Sequence, residues 1–320
     1  MTTRVGAFAP ATISNLGPGF DVLGLAITSP GDLVEAEWRD EPGVTILEVT
    51  GDSGLLPTDP SKNVAGVAAA SVLAQLTDST TAGGSPGCGV GIRVHKRMPL
   101  ASGLGSSAAS SVAGAMAVNE LFVRPLSREQ LLRHAMAGER AAAGSEHADN
   151  VCPSLLGGIK AIRSYRPLEF LDLPVPARLR LVVVHPHIQV ETSYARAILR
   201  SHSFKIEAAV ANLGNMAGFI VALHRDDIEL LGRCIEDALA EPLRMPLIPG
   251  LPHVKQAAME AGAAGCSISG SGPSVFALAD SDAGARLVAE AMRDAFREAA
   301  ALDSDAHVGP VNTFGARRID

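Results

Sequence analysis

The stretch that most narrows what this chain can fold into is residues 99–109, Pro-Leu-Ala-Ser-Gly-Leu-Gly-Ser-Ser-Ala-Ala. Gly103 and Gly105 leave the backbone free to take a positive φ and to approach a ligand closely. Two hydroxyl residues, Ser106 and Ser107, come next, and the small residues of 108–117 continue as a tightly packed helix. Glycines opening onto a helix gather unpaired N–H groups and the positive end of the helix dipole at one point. That is an anion site, and phosphate is the usual anion. Taken alone, the stretch also fits two other readings. Gly103-x-Gly105-x-x-Ala108 matches the dinucleotide pattern G-x-G-x-x-A, and a Gly/Ala-rich helix can start without any ligand. Context weighs against the dinucleotide pattern. Residues 90–94 alternate rather than forming a buried parallel strand, and a helix, not a strand ending in an acid, follows. A Walker A loop is excluded, because neither Gly-Lys-Ser nor Gly-Lys-Thr occurs in the chain.

Length and charge set the frame. A chain of 320 residues predicts two domains, and 47% hydrophobic residues can fill their cores. A formal net charge of −7 argues against nucleic acid or an anionic membrane as partner. Cys88, Cys152, Cys234 and Cys266 form no C-x-x-C pair and read as reduced core thiols. No basic segment leading into an apolar run opens the chain, and no apolar run is expected to span a membrane. A soluble, cytoplasmic protein is the expectation.

Strands are expected over 5–9, 33–38, 44–49, 90–94, 179–185 and near Val308, with 44–49 as the neighbour of 33–38. Asn63 caps a helix to about Leu76, and 77–89 reads as a surface loop. Ser127 and Gln130 form a capping box. The helix they open is broken by Gly144 and carries Glu139 near its C-terminal end. An acid there opposes the dipole and invites a cation, a metal among them, although a solvated Glu is the commoner case. The polar cluster 146–150 reads as a loop lining a cleft. Thr192 begins a helix that puts Arg196 on the same face. Further helices are expected over 204–224, 226–240, 252–262 and 282–299, with Arg244 held between Pro242 and Pro246. Residues 262–279 read as strand, turn, strand, and their glycines suggest backbone lying against another segment such as the first loop.

Three segments taken together carry a resemblance: Asn15-Leu-Gly-Pro-Gly-Phe-Asp21, the 99–109 loop, and Ser269-Gly-Ser-Gly-Pro273. In this order and at this spacing they resemble the three signature motifs of the GHMP kinase superfamily. Glu146-His-Ala-Asp-Asn150 and Val190-Glu-Thr-Ser-Tyr-Ala-Arg196 make the chain similar, over essentially its whole length, to the homoserine kinases of that superfamily.

The resemblance implies an α+β fold of two domains. An N-terminal ATP-binding domain of the ribosomal-protein-S5 domain 2 type is placed at 1–165, and a ferredoxin-like C-terminal domain at 166–320. It implies ATP and Mg²⁺, L-homoserine as substrate, O-phospho-L-homoserine as product on the route to threonine, and a homodimer. Another small alcohol such as mevalonate is the alternative acceptor. Carried over by residue, Pro99, Leu100, Ala101, Ser102, Gly103, Leu104, Gly105, Ser106, Ser107, Ala108 and Ala109 form the nucleotide loop. Ser107 and Glu139 are the Mg²⁺ neighbours. Asn15, Asp21, His147, Asn150, Thr192, Arg196 and Arg244 fall on substrate-side positions. Arg196 and Arg244 suit a carboxylate, Asp21 with Asn15 an ammonium, and Asn150 the attacking hydroxyl. Asp21 and Asp149 are both candidates for a catalytic base.

Overall fold

The computed structural model describes residues 4–78, 89–123, 125–144 and 146–319. Cys88 and most of the loop expected over 77–89 lie outside the described residues. Strands β1 (Arg4–Ser14) and β2 (Leu23–Arg39) pair antiparallel, with a register shift between Pro10 and Thr12. The alternation expected in β2 is present: Val34 and Ala36 are buried, while Glu35 and Glu37 pair with arginines. Strand β3 (Gly43–Thr50) does not lie beside β2 as expected. It pairs, parallel, with β4 (Gly89–His95), and β4 takes the place next to β2. The apolar faces explain this. Val90, Ile92 and Val94 of β4 are fully buried and claim the interior, whereas β3 is half exposed and sits at the edge.

Helix α1 (Val64–Asp78) is capped by Asn63, whose Oδ1 accepts the Ala65 N–H at 3.0 Å. Helix α2 (Ser106–Asn119) lies on β1 and β2, between α1, α3 (Arg128–Ala143) and α4 (Ala148–Leu156). Thirteen of the fourteen α2 residues are buried; Ser107 is the exception. Small side chains make that crowding possible: a Cβ on Gly114 would stand 2.7 Å from the Ala65 carbonyl oxygen. The α3 capping box and its stop at Gly144, φ 64°, are as expected. Helix α4 is not. Residues 148–150 belong to its first turn rather than to a loop, and Pro153 within it hides the helical pattern.

Strands β5 (Ile159–Tyr165) and β6 (Leu168–Leu173), also unexpected, form a hairpin attached to β2. The division expected at 165/166 therefore falls in a turn between two strands of one sheet. Strand β7 (Arg180–Pro186) begins the second sheet. It is followed by α5 (Thr192–Arg200), α6 (Ile206–Arg225), α7 (Ile228–Arg233), α8 (Glu241–Arg244) and α9 (Leu251–Glu260). Then come β8 (Gly265–Ile268), β9 (Val275–Ala279), α10 (Asp282–Ala300) and β10 (Ser304–Gly309). Helix α7 stops at Arg233 instead of reaching residue 240. The Asp237 carboxylate takes the N–H groups of Leu239, Ala240 and Glu241, so local side-chain bonds replace the helix ladder.

The second sheet runs β10-β7-β9-β8, all antiparallel. A last strand, β11 (Arg317–Ile319), returns to β1, so among the described residues the first sheet has seven strands in the order β11-β1-β2-β4-β3, with β5 and β6 branching from β2. One further expectation changes. By length and composition alone α6 is long and apolar enough to cross a membrane. Here it packs on α7, held by Asn212 to Asp237 and by Asn215 to the Glu236 carbonyl.

Candidate active site

The first glycine loop and the 262–279 segment meet. Ser269 Oγ donates to the Gly103 carbonyl at 2.7 Å, and Ser274 Oγ to the Ser102 carbonyl at 2.6 Å. The Val190 and Thr12 N–H groups bond the carbonyls of Ala101 and Leu104. Four successive loop carbonyls are thus turned into the protein. The N–H groups of the first α2 turn have no helical acceptor by geometry and are left to the cleft. Gly105, φ 64°, is the residue before α2, and a Cβ there would stand 2.1 Å from Thr12 Oγ1 and 2.7 Å from Asn150 Oδ1. Glycine is required by packing at this point as well as by backbone angle.

Beneath the loop lies a buried cluster that sequence reasoning missed. The Lys96 ammonium pairs with Asp32 and donates to the Ser106 carbonyl at 2.9 Å, Ser106 Oγ at 2.6 Å and Ser110 Oγ at 2.8 Å. Its charge is fully hydrogen-bonded, as burial demands. The cluster ties β2 and β4 to the start of α2. A lone Asp in the apolar β2 segment was the available signal, since a buried carboxylate needs a partner.

Ser107 and Glu139 face the same cleft. Glu139 is 1% exposed, its Oε2 lies 3.1 Å from His147 Nδ1, and its Oε1 is buried without a partner. Burial presses His147 toward neutrality, but the bond to Glu139 and the charges of Glu139 and Asp149 outweigh it and raise its pKa. The orphaned Glu139 oxygen and the Ser107 hydroxyl, lining the same cleft, are a donor set suited to a hard cation.

On the other side, Arg196 donates through both Nη atoms to the two oxygens of Asp21, at 2.9 and 2.8 Å. Arg244 Nη1 and Asn15 Nδ2 both donate to the Gly270 carbonyl, at 2.8 and 3.0 Å. Both guanidinium groups lie over the Phe20 ring, Arg196 at 5.5 Å and Arg244 at 5.3 Å from its centroid. Burial brings the Arg244 pKa down to about 10, and the Nε atoms of both arginines are buried without a partner. Two neighbouring cations with spare donors favour an anion. Asn150 accepts the Thr12 hydroxyl at 2.7 Å through Oδ1, which leaves its Nδ2 to donate into the cleft. Thr192 Oγ1 lies 3.2 Å from Ser271 Oγ; the residue capping its helix is Glu191.

These groups line one cleft of about 460 Å³. The family model of the GHMP kinase N-terminal domain matches residues 64–158, and that of the C-terminal domain matches 219–298. The homoserine kinase of Chloroherpeton thalassium is 44% identical over 98% of this chain and 99% of its own. That of Arabidopsis thaliana is 40% identical over 99% of this chain and 85% of its own. The crystal structure of homoserine kinase from Cytophaga hutchinsonii superposes with a TM-score of 0.94 at 45% identity, covering 100% of this chain and 98% of that one. The chain belongs to the GHMP kinase family, among the homoserine kinases. L. major mevalonate kinase, solved with R-mevalonate, has the same fold at 19% identity, with a TM-score of 0.72 over 96% of this chain and 95% of its own.

In this GHMP kinase the cleft gathers Leu100, Ala101, Ser102, Gly103, Gly105, Ser106 and Ser107 from the loop. It also gathers Asn15, Asp21, Glu139, His147, Asn150, Thr192, Arg196 and Arg244. Four loop residues do not line it. Leu104, Ala108 and Ala109 are fully buried in the core and hold the loop from behind, and Pro99 points to solvent. Arg196 and Asp21, expected in separate roles, form one bidentate pair here. Lys96, Phe20 and Asp149 line the cleft as well.

Proposed function

We propose that this chain is an ATP-dependent homoserine kinase that transfers the γ-phosphoryl group to the hydroxyl of L-homoserine. The observation that carries this reading is the pair of arginines with free donors set beside carboxylates, across one cleft from a helix-start phosphate loop. Mevalonate and galactose lack an ammonium, whereas an amino-acid alcohol needs both signs of charge. The loop N–H groups hold the nucleotide phosphates. Arg196 and Arg244 take the substrate carboxylate, and Asn150 Nδ2 orients the hydroxyl. Ser107 and Glu139 would hold Mg²⁺, which when bound neutralises charge on the phosphates. Asp21, neutralised by Arg196, serves better to position that arginine than to take a proton. Phosphoryl transfer itself depends on such positioning and charge more than on covalent help.

The enzyme so read works in the cytoplasm as a homodimer. The experiment is coupled ADP release with ATP, Mg²⁺ and homoserine, mevalonate, galactose or shikimate. Turnover with homoserine well above the other three is expected. Equal turnover with a neutral alcohol would overturn the substrate assignment.

A further inference from the structure

Strand β7 faces two cores. Val182 and Val184 pack with apolar residues of α9 and α10, while Leu181 and Val183 belong to the core built on the first sheet. His185 continues the second face. At 3% exposure it stands where the alternation calls for another apolar side chain. A buried imidazole needs partners. Its Nδ1 lies 3.0 Å from the Oγ of Ser274, the residue before β9. That hydroxyl donates to the Ser102 carbonyl of the glycine loop at 2.6 Å, and the Ser274 N–H donates to the same oxygen at 3.2 Å. His185, Ser274 and Ser102 are all buried, and His185 is not among the residues that line the cleft.

Proton count fixes the direction of these bonds. A carbonyl can only accept, so the Ser274 hydroxyl proton goes to Ser102; otherwise two oxygens would face each other at 2.6 Å with no proton between them. The ring nitrogen is then the donor. Burial, and next the charge of His187, bring the His185 pKa down to about 4, so the ring is neutral and its single proton is assigned to Nδ1. The Ser102–Gly103 peptide is trans, so its C=O and N–H point opposite ways. With the carbonyl held by Ser274, the Gly103 N–H is directed away from Ser274. Gly103 has no side chain of its own to hold that peptide plane.

We infer that His185 is a positioning residue for nucleotide binding: through Ser274 it locks the Ser102–Gly103 peptide so that the Gly103 N–H stays presented to a phosphate oxygen. This rests on the reading of the loop as the nucleotide site and adds to it a residue on the second sheet.

The test measures KM for ATP and for homoserine, and the Kd of a non-hydrolysable ATP analogue, in a set of variants. His185→Leu keeps an apolar side chain in the core and removes the donor. The ATP KM and the analogue Kd should rise by a factor between about 2 and 12, the worth of one neutral hydrogen bond, with the homoserine KM unchanged. His185→Asn puts an amide Nδ2 where the imidazole carried Nδ1 and should keep parent values. His185→Gln carries its amide one bond further out and should not. Ser274→Ala should raise the same two constants, and adding His185→Leu to it should raise them no further, because His185 acts only through that hydroxyl. Unchanged analogue affinity in a folded His185→Leu would overturn the proposal. So would equal loss of ATP and homoserine, or additive effects of His185→Leu and Ser274→Ala. Should His185→Leu fail to fold, the Asn and Gln variants decide alone, and equal nucleotide affinity in the two would count against it. A parent that does not bind the analogue removes the loop reading, and this proposal with it.

Discussion

At the scale of single residues, Glu139 shows what a sequence can and cannot disclose. An acid near a helix C-terminus is unfavourable unless something cationic stands opposite it, and that alone marks the residue. The orphaned Oε1 is visible only in three dimensions. Glu139→Gln keeps the shape and removes the charge, so turnover should fall by on the order of a hundredfold or more, the range for lost electrostatic stabilisation. Turnover measured across a Mg²⁺ titration checks it; an unchanged rate and unchanged Mg²⁺ dependence would make Glu139 a structural acid. Asn15, Asn150, Arg196 and Arg244 were legible because their segments match a known pattern. Lys96 was not, since its significance comes from Asp32, distant in the chain and adjacent in space.

Among elements, the legible features were local ones. Asn63, Ser127 with Gln130, and Gly144 bound their helices by bonds within a few residues, so spacing alone reveals them. The β3–β4 pairing, the β5–β6 hairpin on β2 and the return of β11 to β1 rest on long-range pairing that no local pattern encodes. Helix α6 adds a surface. Ile206, Val210, Leu213 and Val221 are 71%, 60%, 70% and 40% exposed, and Gly214 and Ala217 lie in the same stripe. An uncharged apolar stripe with small residues can meet its own copy without burying an ion. This is the surface we assign to the proposed homodimer. Leu213→Glu should shift the sedimenting mass from two chains to one; a parent that sediments as a single chain would remove the dimer.

For the whole molecule, the central claim is a division of labour across one cleft. On the proposed reading the loop and α2, resting on the seven-stranded sheet, would hold the nucleotide. Helices α5 and α8 carry Arg196 and Arg244, proposed above to take the carboxylate of an amino-acid acceptor. Serines of the 262–279 segment bond the loop carbonyls and keep the two parts in register. The claim predicts that damage to the arginine clamp leaves the nucleotide alone. Arg196→Lys is the most direct measurement, with KM determined for homoserine and for ATP in the same preparation. Lys keeps the charge but loses the planar two-point donor. The homoserine KM should rise by a factor between about 10 and 150, the ~1.5–3 kcal/mol of a hydrogen bond to a charged group, while the ATP KM stays where it was. Equal loss of homoserine and ATP, or no loss of either, would contradict it.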